Sequence, residues 1–266
     1  MELITLIGFA TALLIGLILG LIGGGGSIVT VPVLVYLLEI DPVTATAYSL
    51  FLVGAVSTVG TFRNAQLGTI NYRVGLVFSL PAFTTVYLTR AYIIPAIPDN
   101  ITTLGHFQLT KDLAIMLFFA FIMVIASISM IGSKDRKPLA KGEKKLNLPL
   151  ILIEGGIVGF VTGLVGAGGG FLIIPALVLL ANLEIKTAIG TSLLIIAIKS
   201  TIGFLGDVQN IEVDWPFLLL FTAMAVGGIF IGLTFNQKLG NEPLKKIFGW
   251  FILLMGVGIF IKEIVF

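Results

Sequence analysis

The chain has 266 residues, 57% of them hydrophobic and 11% charged, where an ordinary soluble domain carries about 25% charged residues. Water is therefore excluded as the solvent for most of its surface, and the chain reads as a polytopic membrane protein. A net charge of +2 with the basic residues gathered in one loop gives no footprint for nucleic acid; zero cysteines exclude disulfides, iron–sulfur clusters and thiolate metal sites, and one histidine argues against a His-based zinc site.

Apolar runs fall at about 3–22, 28–38, 44–61, 74–97 and 111–131, then at about 149–165, 171–181, 187–205, 215–235 and 244–264. The N-terminal Met-Glu-Leu-Ile lacks the positive n-region of a secretory signal, so 3–22 is taken as part of the mature protein. A spanning helix needs about 20 residues. The runs 28–38 and 171–181 hold about 16 Å of helix at 1.5 Å per residue, roughly half a crossing.

A glycine cluster precedes each short run. The first reads GLIGGGGSIVTVPVLV (Gly20 to Val35) and the second GLVGAGGGFLIIPALV (Gly163 to Val178). An offset of 143 residues carries Gly23 to Gly166, Gly25 to Gly168, Gly26 to Gly169 and Pro32 to Pro175. The register continues through Thr44/Thr187, Ala45/Ala188, Ser49/Ser192, Ser57/Ser200, Thr58/Thr201, Gly60/Gly203 and Gln66/Gln209, and 17 of the 47 pairs from position 20 to 66 are identical. The chain is thus a duplication with a broken apolar segment in each half, the best sequence pointer to a transporter and its binding site. Each cluster is expected to turn the chain back inside the membrane as a re-entrant-like hairpin. Irregular backbone at that depth needs protein or a watery cavity around it, so the hairpins should be central.

Charge sets direction. The linker SKDRKPLAKGEKK (Ser133 to Lys145) holds six basic and two acidic residues and should be cytoplasmic. Counting outward with each hairpin returning to its own side puts Arg63, Arg73, Lys238, Lys245 and Lys246 inside. Glu39, Asp41, Asp207, Glu212 and Asp214 fall outside, as do both termini. Each half then crosses an odd number of times, so the halves insert upside down relative to one another. The expected fold is all-α: two inverted-topology repeats, each with a glycine-broken hairpin plus three spanning helices. Residues 1–132 form the first repeat, 133–147 the basic linker and 148–266 the second repeat, in the cell (plasma or inner) membrane.

These motifs resemble the TauE/SafE family of sulfite and sulfonate exporters. The family's pattern has a G-x-G-G-G-x-x-x-x-P segment near the start of each half, an Ala-x-x-T-S-like step, and a polar loop ending in a Gly-Asn-Val-Asp-Trp-like sequence. Here the corresponding segments are GLIGGGGSIVTVP and GLVGAGGGFLIIP, ATAYSL and AIGTSL, and RNAQLGTINYR and GDVQNIEVDW. Tyr48 stands where the family usually has Thr, and Lys199 where a small or amide residue is common. The resemblance implies export or exchange of small sulfur oxyanions or organosulfonates; composition and spacing imply only a transporter.

Candidate site residues follow from the breaks. Gly16, Gly20, Gly159 and Gly163 fit small-xxx-small helix packing. The run Gly23 to Gly26 exceeds that need, and helices starting near Ser27 and Gly170 would point free N–H groups at an anion. The substrate-binding candidates are Gly24, Gly25, Gly26, Ser27, Ser49, Gly168, Gly169, Gly170, Thr191, Ser192 and Lys199. A serine in a membrane helix also bonds its own i−4 carbonyl, which is the other reading of Ser49 and Ser192. Lys199 lies inside LLIIAIKSTIGFL, where a lysine costs about 2.5–3.5 kcal/mol on insertion scales and is a functional hypothesis by default. Its alternative is snorkelling to the outer interface. Arg63, Asn64, Gln66, Asp207 and Gln209 are candidate entrance or gating residues. Arg73 and Arg90 read as interface anchors, His106 as a loop residue, and Pro81, Pro95, Pro175 and Pro216 as kinks or helix starts.

The expected function is a secondary carrier of a small sulfur-containing anion, working by alternating access around a midplane site, with export the direction a cytoplasmic Arg63 favours. Protons are the candidate coupling ion, a homo-oligomer is compatible with the sequence, and no cofactor or metal is expected. No G-x-x-x-x-G-K-S/T motif is present, so the chain holds no P-loop ATPase of its own. The alternatives are a passive anion channel or a carrier of a different small organic anion. An enzyme is disfavoured, because one histidine and no pair of intramembrane carboxylates leave no catalytic constellation.

Overall fold

The computed structural model describes residues 3–22, 27–104, 107–132, 148–179, 181, 183–236 and 241–265. The first cluster, Gly23 to Gly26, and the basic linker, together with Lys238 and His106, lie outside these residues. The described residues are helical almost throughout. The first half holds α1 (Leu3–Ile22), α2 (Ser27–Pro32) running into a π-helical turn (Val33–Leu37), and α3 (Pro42–Gln66). It continues with α4 (Tyr72–Leu88), a second π-helical turn (Thr89–Ile93), α5 (Ile94–Ala96), a hairpin of β1 (Asn100–Leu104) and β2 (Phe107–Thr110), and α6 (Lys111–Gly132). The second half holds α7 (Leu148–Val165), α8 (Gly170–Leu179), α9 (Ile185–Asp207), α10 (Trp215–Asn236) and α11 (Asn241–Val265). Among the described residues, five helices are long and apolar enough to cross a membrane: those at Pro42–Gln66, Tyr72–Ala96, Lys111–Ile128, Lys186–Asp207 and Trp215–Phe235.

Helix starts follow local chemistry. Asp41 caps α3 by accepting from the Thr44 N–H at 2.9 Å, with Pro42 at the first helical position. Asn71 caps α4 through Val74 N–H, and Asp214 caps α10 through Phe217 N–H, at 3.1 Å each. Tyr48 fastens that last start to α3, its hydroxyl accepting from Asp214 N–H at 2.7 Å. The short helices begin at Ser27 and Gly170, where the glycine clusters end, and their 11- and 10-residue lengths match half a crossing.

Packing is organised by glycine. Helices α3 and α9 lie against each other through Gly54 on Thr201, Gly60 on Leu193, Gly203 on Leu50 and Gly190 on Asn64. As one helix advances the other recedes, so the two run antiparallel. Helices α1 and α10 run parallel, with Gly16 on Ala225, Gly20 on Ile229 and Gly232, and Gly228 on Leu13 and Leu17. Helices α7 and α4 do the same, with Gly159 on Ala82 and Thr85, and Gly163 on Val86 and Thr89. Gly16, Gly20, Gly159 and Gly163 therefore do serve close approach: a Cβ on Gly20 would stand 2.6 Å from the Ile229 carbonyl oxygen, and one on Gly163 2.9 Å from Thr89 Cβ. Thr85 adds an interhelical bond, its hydroxyl donating to the Gly156 carbonyl at 3.0 Å.

Two features differ from the sequence reading. The apolar run 74–97 forms a helix from Tyr72 that loosens into a π-helical turn at Thr89, and a β-hairpin follows it. Arg90 is not an interface anchor: it is wholly buried within that turn, while Arg73 is exposed.

Candidate functional site

The second glycine break is built around two left-handed residues. Gly166 (φ 70°) and Gly169 (φ 73°) adopt a conformation that side chains with a Cβ rarely enter. Gly166 ends α7, its N–H bonding the Thr162 carbonyl at 2.9 Å, and it is pressed onto Thr46 of α3. The Gly169 carbonyl accepts from the N–H groups of Leu172 and Ile173, at 2.9 Å each, and so starts α8. Between them, Gly168 touches Val53 of α3, Ile196 of α9 and Ser27; a Cβ there would stand 3.1 Å from the Ser27 Cβ. The second break thus meets the first residue of the short helix that follows the first break. The contact lies near the middles of α3 and α9.

Lys199 reaches this loop from α9. It is fully buried, and its Nζ donates to Thr162 Oγ1 at 2.8 Å. A Cβ on Gly169 would stand 3.5 Å from that Nζ. Among the described residues no carboxylate comes within ion-pair distance of it. The N-terminus of α8 begins beside it, and a helix start carries unpaired N–H groups and a partial positive charge. The Lys199 amine and the helix start therefore converge on one glycine loop, with no carboxylate within ion-pair distance of that amine among the described residues. Buried hydroxyls lie along the adjoining helices: Thr30, Ser49, Ser57 and Ser200 have no hydrogen-bond partner among the described residues. Chemically the arrangement suits an anion that supplies the missing charge and accepts hydrogen bonds.

A second buried cation flanks the same loop. Arg90 Nη1 donates to Thr46 Oγ1 at 2.9 Å and stands 3.4 Å from each carboxylate oxygen of Asp207, which is 2% exposed. Thr46 is the residue on which Gly166 packs, so the arginine borders one end of the loop and Lys199 the other.

The family model described as sulfite exporter TauE/SafE matches residues 8–259 of this chain. The chain belongs to the TauE/SafE family. Among curated proteins it is similar to a probable membrane transporter protein of Xylella fastidiosa, at 26% identity over 250 residues, covering 92% of this chain and 90% of that one. A probable membrane transporter protein of Bacillus subtilis is 25% identical over 275 residues, covering 93% and 96%. One from Methanocaldococcus jannaschii is 26% identical over 271 residues, covering 97% and 94%. No solved structure matches. The chain is accordingly a multi-pass membrane transporter.

In this TauE/SafE protein the structure gathers only part of the predicted site. Ser27, Gly168, Gly169 and Lys199 come together, with Gly170 opening α8; Gly24, Gly25 and Gly26 lie outside the described residues. Ser49 is buried with its hydroxyl unpartnered among them. Ser192 donates to the Ile189 carbonyl at 2.8 Å, the local bond a helical serine often makes. The Thr191 hydroxyl accepts from the Asn71 N–H at 2.9 Å, which ties α9 to the start of α4 rather than to the breaks.

Of the entrance residues, Arg63 and Gln66 are exposed, bonded to each other at 3.2 Å, and line a cleft of about 710 Å3 with Thr58, Phe62, Phe230 and Leu233. Gln209 is exposed. Asn64 is buried, donating to the Gly60 carbonyl and accepting from the Thr69 hydroxyl. Asp207 is not a loop residue: it ends α9, buried against Arg90. Sequence reasoning missed Arg90 and Thr162. The available signal was an arginine inside FTTVYLTRAYIIP, an apolar run in which a charge is costly.

Proposed function

We propose that this transporter is a secondary carrier of a small sulfur-containing oxyanion such as sulfite or a short sulfonate, moved outward by alternating access between two inverted repeats. The single observation that carries the anion reading is Lys199: a buried amine of α9 beside the glycine loop that starts α8, with no carboxylate in reach among the described residues. A glycine loop lets a ligand approach backbone N–H groups closely, and the helix start adds favourable charge. The sulfur chemistry comes from the family's description alone.

Support for the inverted repeats comes from the packing. Helices α3 and α9 are equivalents under the 143-residue offset and run antiparallel. The same offset carries the contact of Gly16 with Ala225 onto that of Gly159 with Ala82, and Gly20 with Ile229 onto Gly163 with Val86. Equivalent helices thus exchange partners across the α3–α9 pair, as a two-fold axis between the halves requires. The contact of Ser27 with Gly168 near the middles of α3 and α9 supports a midplane site. Alternating access is supported by the unlike ends of that pair, one holding the buried pair of Arg90 and Asp207, the other carrying the cleft at Arg63.

The test is a binding screen of the purified chain against sulfite, sulfate, thiosulfate and methanesulfonate. Saturable binding of at least one oxyanion, lost in Lys199→Ala, is expected. An intact chain that binds none of them contradicts the reading. In proteoliposomes, saturable flux with counterflow is expected; unitary currents would instead assign a channel.

A further inference from the structure

Arg90 is the bulkiest fully buried side chain among the described residues, yet most of its guanidinium is unused. Nη1 makes both polar contacts, to Thr46 and to Asp207. Nε and Nη2 are buried and have no partner among the described residues. Their N–H groups lie side by side on one edge of the planar group, the two-donor fork that fits two oxygens of one carboxylate or sulfonate. Asp207 does not take that edge. It meets Nη1 at 3.4 Å, beyond the roughly 2.7–2.9 Å of a charge-assisted bond, and its Oδ2 has no hydrogen-bond partner among the described residues. Buried polar groups are nearly always paired, so two idle donors and an idle acceptor in one pair point to a further ligand. The place is defined: Thr46 holds Arg90 and packs on Gly166, Thr162 holds Lys199 and packs on Gly169, and the Gly166 N–H bonds the Thr162 carbonyl. The fork sits in a π-helical turn, a distortion frequent at functional sites.

We infer that the Nε–Nη2 edge of Arg90 is a second oxyanion-binding fork at the Gly166–Gly169 loop. It selects anions that carry two oxygens on one atom over spherical halides, with Asp207 as the counter-ion that shares the guanidinium from its Nη1 side. The inference rests on the anion-carrier reading above and adds to it a residue and a selection rule: Lys199 supplies charge, Arg90 supplies shape.

The first test uses the wild-type chain, which has four arginines, Arg63, Arg73, Arg90 and Arg136. With 15N-labelled arginine in detergent, the Arg90 Nε–H resonance is assigned by elimination with R63K, R73K and R136K, and sodium sulfite or sodium bromide is titrated in. Sulfite is expected to shift the Arg90 resonance saturably and bromide to leave it in place. An Arg90 resonance unmoved at saturating sulfite overturns the inference. The second test compares sulfite affinity and bromide competition in wild type and Arg90→Lys. A lysine keeps the charge and loses the fork, so the preference for sulfite over bromide should narrow at least tenfold; an unchanged preference overturns the inference. If sulfite and methanesulfonate fail to bind wild type at all, the carrier reading falls with it. If they bind and Lys199→Ala loses them while Arg90 stays silent, only the fork falls.

Discussion

The two ends of the α3–α9 pair are related by the repeat and chemically opposite. Under the 143-residue offset Gly206 and Asp207 correspond to Arg63 and Asn64, and Arg90 corresponds to Leu233. At the first end the arginine comes from the π-helical turn after α4, lies on Gly206 with a Cβ-to-Cβ spacing of 3.0 Å for an added methyl, and is buried against Asp207. At the second end the arginine comes from α3, is exposed, and borders the cleft that Leu233 also lines. The spacing pairs Gly16/Gly159, Gly20/Gly163 and Gly60/Gly203 obey the repeat; the charges at the ends break it. Duplication thus supplies a common frame, and a few substitutions at its ends leave a buried ion pair at one end and an exposed arginine beside a cleft at the other.

The comparison predicts unequal costs at the two ends. Asp207→Ala leaves a buried guanidinium without its acid and should destabilise the fold by about 3–5 kcal/mol, whereas Arg63→Ala, at an exposed position, should stay within about 0.5 kcal/mol. Thermal unfolding of the two variants in detergent measures both. Equal losses would mean that the Arg90 pair carries no special burden.

Inside the frame the costs should instead match. Gly16→Ala and Gly159→Ala each push a methyl into the facing backbone at Ala225 and Ala82, so overpacking should cost about 1–3 kcal/mol in each. A large loss in one and none in the other would break the equivalence of the α1–α10 and α7–α4 pairs. The smallest perturbation tests orientation, because the chain has no cysteine of its own. A thiol introduced as Ala140→Cys should react from the cytoplasmic side and one introduced as Asn210→Cys from the opposite side, with stability unchanged. Reaction of both from one side contradicts the inverted arrangement.

Much of this frame was legible in the sequence for physical reasons. Glycine runs cannot continue a helix cheaply, and 11 apolar residues cannot cross a bilayer, so the starts at Ser27 and Gly170 followed. Small residues four apart announced Gly16, Gly20, Gly159 and Gly163 as packing surfaces. Their partners were harder, because Ala225, Gly228 and Gly232 become a contact only once α10 is known to run beside α1. The burial of Arg90 and Asp207 is hidden in the sequence for a related reason. A charge near the end of an apolar run looks the same whether it snorkels or turns inward, and only the approach of Thr46 and Gly206 decides. Ser192 met its own backbone and Thr191 met Asn71, local bonds that compete with any ligand for the same hydroxyl. The hairpin at Asn100–Thr110 gave no signal because the second half has no matching segment; there α10 reaches α11 within a few residues.

Binding of the transported anion by Lys199 at the second glycine break is the role proposed for that residue. Sulfite counterflow tests it most directly: proteoliposomes loaded with unlabelled sulfite are placed in trace labelled sulfite, with wild type and Lys199→Ala reconstituted in equal amounts. A transient accumulation of label is expected with wild type and less than a tenth of it with Lys199→Ala. Wild-type counterflow in the Lys199→Ala vesicles would contradict it.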